Sequence, residues 1–246
     1  MARSFNERTS GTILVAVIIA GVVAMALLGN YAYFGQTTSQ LAPGQSWLIV
    51  PLLGMAGGVA GGLFSRLLVC GNRWLAPFAR RHGVLLAGLC GLGVVATALV
   101  SGSFVFGAGY EQAHAIIQEG ENPGWAYPLA KWLATLFSYL SGIPGGIFAP
   151  SLSTGAGLGA AVAPWFPGMD PSAIAILAMT AYFTGVVKTP ITAAVIIMEM
   201  VSNHAMMLPI MATAIIAYAC STLVFNQAIY QVLAENFLPQ PPPDKP

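Results

Sequence analysis

The chain has 246 residues, 57% of them hydrophobic and only 7% charged, with a mean hydropathy of +0.75 and a net charge of +1. A soluble domain carries about 25% charged residues, so this composition excludes a water-facing surface and predicts an all-α integral membrane protein. The near-neutral balance also argues against nucleic acid as a partner.

Apolar segments and breakers divide the chain as follows. Thr12–Leu28 is a first span. It is longer than a signal-peptide core of about 7–15 residues, and no clear small-residue cleavage site follows it. Ser46–Val69 is a second span, after the uncharged loop Gly29–Gln45. Asn72–Arg81 is short, basic and amphipathic, and is expected at the interface. Val84–Val100 is a third span. Tyr110–Gln118 is a short helix and Glu119–Gly124 an acidic turn. Pro128–Leu140 is about three and a half turns long, too short to cross unaided. A break follows, and then Phe148–Ala163, rich in Gly and Ala. Ser172–Val186 and Ile191–Val201 are short and joined by Lys188-Thr189-Pro190. Met206–Phe225 is a full span, Gln227–Phe237 a terminal helix, and Leu238–Pro246 a Pro-rich extended tail. The expected division is a transmembrane domain over residues 1–237 and a cytoplasmic tail over residues 238–246.

Uneven, broken and re-entrant helices characterise transporters and channels rather than anchors. Arg3 and Arg8 flank the first span; Arg66, Arg73, Arg80 and Arg81 follow the second. Two spans separate these clusters, so both are expected on the cytoplasmic side of the plasma (inner) membrane, with both termini. Arg73, Arg80 and Arg81 then set topology and meet lipid headgroups. Gly54/Gly58, Gly57/Gly61, Gly58/Gly62 and Gly155/Gly159 are spaced for close helix approach. They fit internal packing, with a subunit interface as the alternative.

Cys70, Cys90 and Cys220 are scattered and read as small packing residues. His82, His114 and His204 are equally scattered, so no metal site is expected, and no cofactor. No nucleophile–base pair and no phosphate loop is present, which argues against an enzyme.

The most informative stretch is Ser141–Pro150, Ser-Gly-Ile-Pro-Gly-Gly-Ile-Phe-Ala-Pro. A membrane tolerates broken backbone only where protein buries it or where it lines a watery cavity. Gly142, Pro144 and Gly145 break the helix, and Gly145 and Gly146 allow a tight turn and a close backbone approach. Pro150 fits the first turn of a new helix, which needs no N–H there. A helix N-terminus at membrane depth is a ready anion site. No Lys or Arg lies within the motif, so dipoles alone would hold the anion. The alternative is a packing kink with no ligand.

Gly142–Pro150 resembles the G-x-F-x-P region of the CLC chloride channels and chloride/proton exchangers. Tyr182–Thr192, through Ile197-Met198-Glu199-Met200, is similar to the family's basic-x-Pro-Leu/Ile-Thr turn and later Glu-Met. Tyr230 falls where the family has its pore tyrosine. The resemblance runs from the first span to Phe237, but only to the second inverted half of that fold, roughly its helices H to R. The first-half serine motif and the G-x-E-x-P motif with the gating glutamate have no counterpart here. The internal proton-transfer glutamate would fall just before Met1.

The resemblance implies that Ile147 and Phe148 bind chloride through backbone N–H groups, with Gly146 and Ala149 beside them. Tyr230 would offer its hydroxyl to the same ion; otherwise it is an interfacial anchor. Glu199 is an intramembrane carboxylate and a functional candidate by type; the resemblance makes it structural rather than the gate. Lys188, eleven residues earlier, is too far for a local pair. It either caps the Val186–Thr189 turn or sits in a vestibule.

The leading reading is therefore chloride (anion) transport by a partial CLC-type chain, in a channel or in an exchanger. Such a chain is a truncated product or a half that assembles with a separate partner. The rival is a non-conducting membrane subunit. It would pair as a homodimer or with a fuller CLC chain through Thr12–Leu28, Ser46–Val69, Ile191–Val201 and Met206–Phe225.

Overall fold

The computed structural model describes residues 7–29, 32–41, 44–102, 105–143, 145–230 and 232, with residues 7–10, 45 and 46 described by backbone alone. Pro144 and the tail over residues 238–246 lie outside the described residues, as does most of the expected terminal helix. The described residues hold helices and no strand. The helices are α1 (Glu7–Leu28), α2 (Ile49–Ser101), α3 (Tyr110–Gln118), α4 (Ala126–Leu140), α5 (Phe148–Val162), α6 (Pro171–Val187), α7 (Pro190–Val201) and α8 (Met207–Val224). Short 3-10 turns precede α2 and α8 and follow α5.

One expectation about α2 is corrected. No break separates the second span from a basic interfacial helix: the helix continues through Cys70, Gly71 and Pro77 to Arg81. The chain then turns at His82, whose φ of −138° and ψ of 49° are not helical. A Cβ on Gly71 would sit 3.0 Å from the Leu140 side chain, and one on Gly93 would sit 3.0 Å from Phe137. Residues 71 and 93 would lie roughly 33 Å apart on a straight helix, at 1.5 Å per residue. Yet both reach the last turn of α4, so α2 is an antiparallel hairpin. Its arms are residues 49–81 and 83–101, and its elbow carries Arg80, Arg81 and His82.

α6 is apolar around its whole circumference, as a fully enclosed helix must be. Every residue from Ala173 to Val187 is buried. Asp170 caps its start, accepting from Ser172 N at 3.0 Å, and Pro171 occupies its first position. The first arm of α2 reaches α6 and α8 through bare glycine. Gly57 and Gly61 meet Ala181, Tyr182 and Gly185 of α6; Gly54, Gly58 and Gly62 meet Thr213, Ile216, Ala217 and Ser221 of α8. The rising numbers on both sides mean that the first arm, α6 and α8 run in the same direction. α5 runs the opposite way along α6, with Gly155 on Met179 and Gly159 on Ala175. The predicted glycine pairs therefore pack helices within this chain.

α1 stands apart. Its large apolar side chains are exposed all round, from 49% at Val23 to 79% at Leu27. The segment after it is tied down at the end of the bundle opposite the elbow. Phe34 N donates to Met200 O at 2.8 Å, and Asn203 Nδ2 donates to Ser39 O at 2.8 Å.

Candidate functional site

The broken motif separates the end of α4 from the start of α5. Gly142 makes the break: its φ of +78° is a left-handed end to α4, and its N–H returns to Tyr139 O at 3.3 Å. The Ser141 hydroxyl supports the turn, donating to Ser138 O at 2.6 Å and accepting from Ile143 N at 3.2 Å. Gly145 and Gly146 differ from expectation. Neither has positive φ, and a Cβ on either would meet nothing within 4 Å. The turn does not require glycine at these two positions; their bare backbone borders open space instead.

α5 begins at Phe148 with Ile147 as its cap residue and no side-chain cap. Its first helical bond runs from Ser151 N to Ile147 O at 3.0 Å. Among the described residues, no protein acceptor meets the N–H of Phe148 or Ala149, and Pro150 has none to offer. These are the unsatisfied donors of a helix start, carrying the positive end of its dipole. Ile147 is buried, and the Phe148 ring stands edge-on to Phe183 with centroids 4.6 Å apart.

What the turn faces is a cavity of about 500 Å³ bounded by Gly145, Gly146, Phe148, Ala149, Pro150, Tyr139, Thr135 and Lys131, with residues 105–108 and Val94 closing it. A second hollow of about 350 Å³ shares Val94, Ser138 and Gly145 with it and runs along the second arm of α2. The motif thus opens onto a trough on one side of the bundle.

Lys131 is the feature that the motif alone does not reveal. It is 1% exposed, in the middle of α4, and its Nζ donates to Gly107 O at 2.8 Å, Val105 O at 2.9 Å and Phe106 O at 3.5 Å. Tyr127 and Ser153 hold the same loop, since their hydroxyls bond each other and Ser153 Oγ donates to Gly109 O at 2.8 Å. A positive charge therefore lines the cavity that the uncapped helix start faces, so dipoles are not the only positive influence there. A lone lysine in an otherwise apolar helix was the available signal, because an intramembrane ionisable residue is a functional candidate by type.

The other predicted residues fall in different places. Tyr230 is partly exposed and does not line the cavity, but its phenol is an electrostatic neighbour of Tyr139, which does. Glu199 is exposed near the end of α7, and no ion pair joins it to Lys188. Lys188 does cap a turn: it ends α6 with φ +58°, its N–H bonding Thr184 O at 2.8 Å. Its side chain is buried among the described residues. Among the described residues no group of His, Cys, Asp and Glu could hold a metal.

Comparison with known proteins agrees with this architecture. The family described as voltage gated chloride channel matches residues 1–222. The H(+)/Cl(-) exchange transporter ClcA of Vibrio cholerae is 30% identical over 237 residues, covering 92% of this chain and 50% of that protein. The ClcA of Vibrio vulnificus is 29% identical over 239 residues, with 90% and 50% covered. The ClcA of Klebsiella pneumoniae is 28% identical over 255 residues, with 95% and 52% covered. The chain spans about half the length of the curated relatives it matches.

Proposed function

The chain belongs to the voltage gated chloride channel family, and from that premise we propose that it supplies one half of a transmembrane chloride pathway. The observation that carries this reading is the uncapped start of α5, whose Phe148 and Ala149 N–H groups border a cavity that also holds Lys131. A halide needs donors strong enough to replace part of its hydration and weak enough to release it. Oriented backbone N–H groups have that character, and one fixed ammonium nearby adds a field without a direct salt link. Gly145 and Gly146 leave the approach unobstructed. Tyr230 lies outside the cavity of this chain and is the further residue that this reading would bring to the ion.

The trough along the second arm of α2 is where that half would close the site. Exposed apolar side chains on α7 and α8, such as Ile191, Leu208 and Leu223, make a second surface that suits a parallel dimer. Both surfaces carry side chains that lipid or protein can cover.

The test is chloride efflux from liposomes holding the purified chain, alone and with the N-terminal half of a full-length relative. Flux that needs both halves and falls at least tenfold in the Phe148→Ala/Tyr230→Ala variant is the expected result. No flux from any combination, together with a stable mixed dimer on cross-linking, would replace this reading with the non-conducting subunit.

The elbow end is the cytoplasmic end on this reading, since Arg66, Arg73, Arg80 and Arg81 cluster toward it. α6 and α8 run in the same direction as the first arm, so Lys188 and the end of α8 share that side. In a cysteine-free background, His82→Cys should react with an impermeant maleimide only in inside-out vesicles. Ser202→Cys, at the far end of α7, should react only in right-side-out cells. The reverse pattern would invert the topology.

A further inference from the structure

Lys188 is an expensive choice for the residue that ends α6. Its backbone is left-handed, a conformation in which glycine is preferred because it has no Cβ. A glycine would serve the turn better, so the reason for lysine lies in its side chain. That side chain is 8% exposed, and its Nζ donates to Ser221 O at 3.3 Å and to Phe225 O. The ammonium also lies 5.6 Å from the centroid of the Phe225 ring. Among the described residues no carboxylate meets it. Its partners are the last carbonyls of α8, where the helix dipole is negative, and an aromatic face.

The neighbouring polar groups already hold the helix ends together. Ser221 Oγ donates to Gly185 O at 2.6 Å, and Ser65 Oγ donates to Gly61 O at 3.0 Å and Val186 O at 3.4 Å. The bundle is thus tied at this end without the lysine. Phe225 is the residue at which the chain leaves α8 with φ −152°; its N–H bonds Ser221 O at 2.9 Å, and Lys188 adds the grip on its carbonyl and ring. Five residues later comes Tyr230, itself 41% exposed but next to the fully buried Ile229.

We propose that Lys188 is a positioning residue for Tyr230: by gripping the Phe225 carbonyl and ring, it fixes the direction in which the chain leaves α8 and so sets where the phenol is held. The importance of that placement rests on the pathway proposed above, but the grip itself does not.

The test therefore reads position rather than flux. A nitroxide is attached at Tyr230→Cys in a chain without its native cysteines, and its mobility is compared for Lys188, Lys188→Arg, Lys188→Met and Lys188→Gly. Arg keeps a cation that can reach two carbonyls. Gly removes the ammonium while relieving the left-handed backbone. The expected result is loss of the immobilised spectral component in the Met and Gly forms, its retention in the Arg form, and a melting temperature for the Gly form no lower than that of the parent. An immobilised label in the Gly form would overturn the proposal. So would a Gly form that fails to fold, because the ammonium would then hold the whole bundle rather than one exit. Chloride flux plays no part in either outcome, so a failed pathway and a failed grip remain distinguishable.

Discussion

Gly58→Ala is expected to destabilise the folded chain more than any other single methyl added to the first arm of α2. The new Cβ would press into Ala217 of α8, meeting its carbonyl oxygen closer than any van der Waals contact allows and its Cα at 2.7 Å. These are backbone atoms and have no rotamer through which to retreat. Overpacking a rigid core costs about 1–3 kcal/mol and occasionally more, and a backbone-on-backbone clash belongs at about 3 kcal/mol or above. Gly61→Ala should behave alike, with its Cβ 2.5 Å from Tyr182 O of α6. The control is Gly88→Ala in the second arm, where a Cβ meets nothing within 4 Å. There the change relieves a helix-interior glycine and should stabilise by roughly 0.5–1 kcal/mol. Thermal melts of the detergent-solubilised protein, followed by helical circular dichroism, should move in opposite directions for positions 58 and 88. Equal small shifts at both would mean that the first arm does not pack against α8 as closely as described, and that the stripe serves another surface.

The elements of this bundle were legible wherever a breaker stood at each end of an apolar run. α3 spans Tyr110–Gln118 as expected. α5, α6, α7 and α8 start or stop within one or two residues of their predicted bounds, because Pro150, Pro171, Pro190 and Gly142 punctuate the chain. The α2 hairpin was not legible. Cys70, Gly71 and Asn72 looked like a boundary on polarity, yet Gly71 packs close to the Leu140 side chain and the helix runs on. The reversal comes at His82, a residue with no turn signal of its own. The candidate site divides in the same way. Its backbone half could be read locally, since Gly142 through Pro150 are consecutive. Its charged part could not, because Lys131 reaches the cavity from another helix, and what it grips is a loop some twenty-five residues earlier. Spacing along a chain carries no signal for a contact made across a turn of tertiary structure.

Lys131→Met carries the second large effect, and it acts on two quantities that can be measured separately. Methionine keeps much of the side-chain volume but removes the donors that satisfy Val105 O and Gly107 O. A buried acceptor left without a partner costs about 1–3 kcal/mol, so a loss of roughly 2–4 kcal/mol is expected from the melt. Loosening of the loop over residues 105–109 should follow, seen as faster amide exchange at Val105 and Gly107. The second effect is electrostatic. A unit charge about 10 Å from a halide, at an effective dielectric near 20, contributes roughly 1.5 kcal/mol. Chloride binding should therefore weaken about tenfold, measured by titration calorimetry on the chain assembled with its complementary half. Lys131→Arg separates the two. Its guanidinium keeps the charge and can bond the same carbonyls, although its bulk strains the loop, so affinity should stay near the parent value while stability falls. If the Met form binds chloride as tightly as the parent, Lys131 is only a tie for the loop. The uncapped N–H groups of Phe148 and Ala149 must then hold the anion unaided.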